Sequence, residues 1–107
     1  MTIYIEGGLE PYVQIEPLKV KFTDTVMAEA LFVSSAYDDF YSTCTLRYKL
    51  GTLVPNFDVD GNLTNHTSQM LYTDTETVIG SDYTNWDGNN EFPFEYIINK
   101  LNLTQVI

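Results

Sequence analysis

Apolar and polar residues alternate most regularly between Phe40 and Leu50. Phe40, Cys44, Leu46, Tyr48 and Leu50 fall on one parity, and Tyr41, Thr43, Thr45, Arg47 and Lys49 on the other. This period-two pattern predicts a strand with one buried face. Upstream, Met27 to Tyr37 is apolar on both parities, with Leu31 and Val33 on one and Ala28, Ala30 and Phe32 on the other. A strand covered on both faces explains that run; a short helix around Met27–Ala30 is the alternative. Asp38-Asp39 joins the two segments as an antiparallel hairpin. Tyr12 to Phe22 predicts an earlier strand whose phase changes: Val13 and Ile15 share one parity, Leu18, Val20 and Phe22 the other, with Pro17 at the switch. Proline cannot donate to a ladder, so a bulge or an edge position is expected there, followed by a turn at Thr23-Asp24-Thr25.

Beyond Leu50 the pattern weakens. Leu53 to Ser68, with Pro55, Gly61 and many Asn, Asp and Thr residues, reads as the longest loop-like connection, tightly turned at Asp60-Gly61. Gln69 to Ile79 resumes as a Thr-rich strand. Ser81 is placed to cap a short helical turn over Asp82 to Trp86, stopped by Asp87-Gly88-Asn89-Asn90. A second helix starts at Asn90, Glu91 and Pro93, and its Phe94, Ile97, Ile98 and Leu101 share one face. Lys100 suits its last turn and Asn102 its C-terminal cap. The expected fold is mainly β (α+β): a small antiparallel sheet or sandwich of about five strands with one or two short C-terminal helices packed on it. The length of 107 residues fits a single domain over 1–107, with a possible N-terminal arm over 1–10 and a possible docking tail over 103–107.

Charge narrows the range of partners. Five Lys and Arg against fifteen Asp and Glu give a formal charge of −10, and the cations Lys19, Lys21, Arg47, Lys49 and Lys100 are scattered. Nucleic-acid binding needs clustered cations, so direct contact with nucleic acid is not expected. The same charge would repel anionic membranes, and no apolar run approaches the ~20 residues of a membrane-spanning helix. Cys44 stands alone, so no intrachain disulfide forms. The opening residues lack the basic and apolar regions of a signal peptide, which suggests cytoplasmic synthesis.

Chemistry-bearing motifs are sparse. Asn56, Asp58, Asp60 and Asn62, with Gly61 and Leu63, resemble the opening of a calcium loop, but Thr67 stands where the closing carboxylate belongs. The same residues make ordinary surface turns, which is the stronger reading. Trp86 beside Asp87, Asn89 and Asn90 is a combination that can stack and hydrogen-bond sugars; anchoring the helices to the sheet is the plainer role for this Trp. His66 lacks Cys or His partners for a metal site, and Cys44 on an apolar strand face reads as a small buried hydrophobe. Three Asn-X-Thr sequences, at Asn62, Asn65 and Asn102, are what chance gives in so Asn- and Thr-rich a chain. The nucleotide-binding glycine patterns and the G-x-S-x-G elbow do not occur. No catalytic residue and no cofactor is therefore expected.

One pattern carries a resemblance. Thr43-Cys-Thr-Leu-Arg-Tyr-Lys-Leu50 leads to Thr77-Val-Ile-Gly-Ser-Asp-Tyr83; then come Asp82-Tyr83-Thr-Asn-Trp86, a Gly/Asn/Asp break, an aromatic helix and Lys100-Leu-Asn-Leu-Thr104. Over roughly residues 26–104 this resembles small virion structural proteins of tailed bacteriophages, in which a D/E-Y-x-x-W turn precedes a short acidic-aromatic helix ending in K-L-x-L. The resemblance implies a non-enzymatic component of a capsid, neck or tail, made in the host cytoplasm, located in the virion and held by contacts with itself as a homo-oligomer or with other virion proteins. Candidate interaction residues are Trp86 and Tyr83 in the turn, Ile3 and Ile5 in the N-terminal arm, and Leu103, Val106 and Ile107 in the tail. A small carbohydrate-binding module using Trp86 and the Asp/Asn-rich loops is the alternative.

Overall fold

The structure, a computed structural model, describes residues 2–5, 9–19, 27–86 and 88–106. Six strands and two short helices follow one another as β1 (Tyr12–Lys19), β2 (Met27–Asp38), β3 (Thr43–Gly51), β4 (Val54–Phe57), β5 (Leu63–Thr67), β6 (Met70–Ile79), α1 (Gly80–Asn85) and α2 (Phe92–Leu101). The chain is thus mainly β, as the alternation predicts. Four strands form one antiparallel sheet in the order β1-β2-β3-β6, and β4-β5 form a separate ribbon. Met27–Ala30 is strand, not helix. The predicted continuation through Val20 and Phe22 and the turn at Thr23–Thr25 lie outside the described residues.

Strand β3 organises the sheet because it is paired on both sides. Its Cys44, Leu46, Tyr48 and Leu50 are buried on one face, together with Val13, Ile15, Leu31 and Val78 from neighbouring strands. Helix α2 covers that face with Phe94, Ile97 and Ile98. The i, i+3, i+4 spacing places these side chains on one stripe, which is why the helix packs rather than fraying. Asn102 ends α2 in the left-handed conformation at φ 56°, and the Leu103 N–H donates to the Ile98 carbonyl. The other face of β2 is apolar as well, and Tyr12, Ala30 and Phe32 form a smaller cluster there beneath Leu9 and Leu53. That cluster explains the double-parity apolar run of β2.

Pro17 sits where the phase change required it. The β1–β2 register shifts between Gln14 and Leu18, so Ile15–Pro17 lies opposite Glu29 alone. A bulge on an edge strand accommodates the missing donor. Both ends of the chain then pair along the outer edge of β1. Tyr4 and Tyr12 exchange backbone hydrogen bonds of 2.8 and 3.0 Å, Glu16 N–H donates to Thr104 O at 2.7 Å, and Val106 N–H donates to Gln14 O at 3.0 Å. Such pairing removes the unpaired N–H and C=O groups that make an edge aggregation-prone.

Three local expectations need correction. Phe40, which the alternation puts on the buried face of β3, precedes that strand and is exposed, because the chain is still turning after Asp38-Asp39. The segment Leu53 to Ser68 is not a loop but a two-stranded ribbon, with Asn56 opposite Asn65 and Phe57 opposite Leu63. Its apolar residues Val54, Phe57 and Leu63 are exposed, so no buried face imposes a period-two alternation. Helix α1 begins at Gly80, one residue before the predicted Ser81 cap, and its N-cap Ile79 makes no side-chain hydrogen bond. Gly80 takes φ +62°, a conformation open to glycine at low cost, and this lets the chain leave β6 directly into the helix.

The core assignment is directly testable. Ile97→Ala removes a fully buried side chain (0% exposed), and should cost about 2–5 kcal/mol in urea unfolding. Val59→Asp, at a fully exposed position, should stay within about 0.5 kcal/mol of wild type. Equal losses for the two would contradict the placement of the core.

Candidate functional site

An apolar groove of about 470 Å³ lies between the N-terminal segment and the start of α2. Its floor is built by the core itself, from Leu46 of β3 and Phe94 of α2, with Val33 of β2 alongside. Ile3 and Ile5 form one wall because the Tyr4–Tyr12 pairing fixes their segment beside β1; the same two rings stack with centroids 5.4 Å apart. Trp86 and Pro93 line it as well, and Ser34, Ser35 and Asn90 are its polar lining residues. Among the described residues no charged side chain lines the groove. The structure therefore brings together Ile3, Ile5 and Trp86, three candidate interaction residues far apart in sequence.

Trp86 is held rigidly. Its Nε1–H donates to the Asn89 carbonyl at 3.0 Å, which closes the turn before α2. Its ring stacks on Phe92 at 5.2 Å, Phe92 stacks on Tyr96 at 5.8 Å, and Lys100 Nζ lies 5.4 Å from the centre of the Tyr96 ring. One indole face and its only donor are thus committed within the chain, which leaves apolar contact as the chemistry Trp86 offers the groove.

Tyr83, the other candidate in the turn, lies away from the groove lining and braces the β2–β3 tip instead. Its O–H donates to Asp38 Oδ1 at 2.8 Å, an oxygen that also accepts the Phe40 N–H at 2.8 Å. That hydrogen bond first, and burial second, push the Tyr83 phenol up to about 12. Asp39 completes the tip: its Oδ1 accepts the N–H groups of Tyr41, Ser42 and Thr43 at 2.8, 2.9 and 3.0 Å. These backbone donors hold its carboxyl well below the usual carboxylate range. Directly after the two acids Phe40 takes φ 58°, a left-handed conformation that costs a side chain roughly 1–2 kcal/mol. The result is a fixed turn displaying Phe40 and Tyr41, each 87% exposed.

The tail residues are placed within the fold. Leu103 packs against the core, and Val106 pairs with Gln14 on β1; Ile107 lies outside the described residues. The calcium-loop candidates form the end of the β4–β5 ribbon. Asp58 Oδ1 accepts the N–H groups of Asp60 and Asn62 at 2.9 Å each, and Asn56 Nδ2–H donates to Asn65 Oδ1 at 2.9 Å. Gly61 takes φ +84° there, as the predicted turn at Asp60-Gly61 requires. Among the described residues no three His, Cys, Asp or Glu side chains gather as a ligand set. Cys44 is buried beneath the tip, 3.7 Å from Ser35 Oγ, and burial pushes its thiol up. His66 stands on β5, beside a hollow shared with Gln14 and Glu29. No described helix is long and apolar enough to cross a membrane.

Sequence reasoning missed two surfaces: the β2–β3 tip and the ribbon, where Phe57 is 61% exposed, Leu63 55% and Val59 wholly exposed. Exposed aromatics flanking an Asp-Asp turn were the available signal for the first; the second gave none. Comparison with known protein families, with curated proteins and with solved structures yields no match for the chain.

The tip makes a pH prediction. A carboxylate whose value is depressed by folding contributes stability above its unfolded value, and that contribution fades as pH falls below about 4. Asp39→Asn should flatten the decline of the urea midpoint between neutral pH and about pH 2. Identical pH profiles for variant and wild type would remove Asp39 from this role.

Proposed function

We propose that the chain is a non-enzymatic structural component of a tailed-phage virion, acting through protein–protein contacts. The observation that carries the assembly part is the display of apolar side chains on preorganised elements. Phe40 and Tyr41 stand on a turn locked by two carboxylates, Phe57 and Leu63 lie side by side on a ribbon, and Ile5 and Trp86 line a groove in which no described residue is charged. Exposed apolar groups grouped in this way mark surfaces made to be covered. Rigid presentation lowers the ordering cost of covering them. The virion part rests on the sequence resemblance over roughly residues 26–104, in which the Tyr83–Trp86 turn and the aromatic helix are the defining segment.

The acidic surface fits this reading. A formal charge of −10 keeps a chain with so many exposed apolar groups soluble before assembly. It also disfavours contact with packaged DNA, so the subunit would face protein neighbours. The sugar-platform alternative gains no comparable support, because the Trp86 donor and one ring face are already used.

Mass spectrometry of density-purified particles, from cells producing phage that encode this chain, tests the proposal. The chain should band with the particles at a fixed stoichiometry to the other structural proteins. Its recovery only as free protein at the top of the gradient would refute a virion role.

A further inference from the structure

The β2–β3 tip is strained in a way that the fold does not repay. Phe40 takes φ 58°, a region that bulky side chains rarely occupy. Its ring returns nothing through burial, since Phe40 and Tyr41 are each 87% exposed. Asn would meet the same backbone geometry with less strain, so folding alone does not call for Phe here. Backbone held against residue preference clusters at binding and switch sites. The hold itself is built by two acids. Asp38 Oδ1 accepts both the Phe40 N–H and the Tyr83 O–H, so one oxygen ties helix α1 to the strained residue. Asp39 Oδ1 accepts the N–H groups of Tyr41, Ser42 and Thr43, and its Oδ2 accepts the Thr43 hydroxyl at 3.0 Å. The two rings therefore stand on a turn that has little freedom left to lose on binding. Among the described residues neither acid has an ion-pair partner.

From this arrangement we infer that the tip is an anchor: Phe40 and Tyr41 enter an apolar pocket of a different virion protein, whose rim carries Lys or Arg toward Asp38 and Asp39. The inference rests on the assembly reading and adds the chemistry of the partner. Aromatic side chains carry much of the energy of protein interfaces, at a desolvated centre ringed by polar contacts. The sign of that ring follows from the two carboxylates. Covering them with a neutral or acidic surface leaves charge uncompensated, whereas Lys or Arg on the partner offsets the loss of water. The same acids disfavour nucleic-acid phosphates and anionic lipid. A second copy is a poor host, because its net charge is −10 and two of its five cations are engaged already. Lys49 is bonded to Glu10, and Lys100 lies over the Tyr96 ring.

Competition for places in the particle tests this. Cells producing the phage also express a tagged copy of the chain, wild type or variant, and mass spectrometry of density-purified particles gives the tagged share. Phe40→Asn should keep or raise the urea midpoint of the purified chain, because it relieves strain and uncovers no core. The same substitution should lower the tagged share at least about tenfold, as loss of an aromatic anchor does. Photo-crosslinking in the particles from Tyr41→p-benzoylphenylalanine should join the chain to a different protein, at an apolar site with Lys or Arg beside it. A Phe40→Asn copy that competes as well as wild type would overturn the anchor and leave the assembly reading standing. A lowered urea midpoint would make Phe40 a structural residue and overturn the anchor in the same way. Crosslinks to a second copy, to lipid or to a site without cations would overturn the partner's chemistry, as would no crosslink from chains present in the particles. Wild type absent from the particles would overturn both the anchor and the assembly reading.

Discussion

Everything described above depends on the packing of one helical stripe against one face of the sheet. Phe94, Ile97 and Ile98 of α2, which lies closest to β2, share a buried cluster with Leu31 of β2 and with Cys44, Leu46, Tyr48 and Leu50 of β3. Burying these side chains supplies the main driving force available to a sheet with one helical layer. It also has a geometric consequence. The turn before α2 brings Trp86 beside Leu46, and the space between that turn and the N-terminal segment is the groove. The site is a by-product of how the core closes.

The second constraint is the management of sheet edges. The outer edge of β1 is paired within the chain by Tyr4 on one stretch and Thr104–Val106 on another. The segments read from the sequence as an N-terminal arm and a docking tail are thereby anchored, and Ile3 and Ile5 acquire fixed positions in the groove lining. Strand β6 is the other outer strand, and it carries Asp74 and Glu76. Charges on an edge strand discourage indiscriminate strand addition. With one edge paired and the other charged, side-chain surfaces rather than sheet edges become the natural means of association. That places the burden on the exposed apolar groups of the tip, the ribbon and the groove.

Much of the fold was legible because burial writes a period into the sequence. The two faces of β3, the double-sided β2, the bulge at Pro17 and the α2 stripe all follow from which side chains are excluded from water. The ribbon was not legible, since Asn56–Asn65 and Thr64 hold it by polar contacts that leave no apolar rhythm. Terminal pairing was equally silent, because bridges one or two residues long impose no pattern. Phe40 in a left-handed turn runs against residue preference altogether and is set by the hydrogen bonds of Asp38 and Asp39. Of the groove, Ile3, Ile5 and Trp86 were identifiable one by one as exposed apolar candidates. Their convergence needed the Tyr4–Tyr12 pairing, and that is a tertiary fact.

The central proposal is that the chain assembles through its exposed apolar surfaces, ribbon and groove among them, while its own termini stay docked. Hydrogen exchange of the dispersed and the assembled protein, followed residue by residue, tests it most directly. Assembly should slow exchange in Val54–Thr67 and around Val33–Ser35, while the amides of Tyr12, Glu16 and Val106, already bonded within the chain, should be unchanged. Faster exchange at those three amides on assembly, with the ribbon unaffected, would mean that the termini leave β1 to reach neighbours, and would contradict the account.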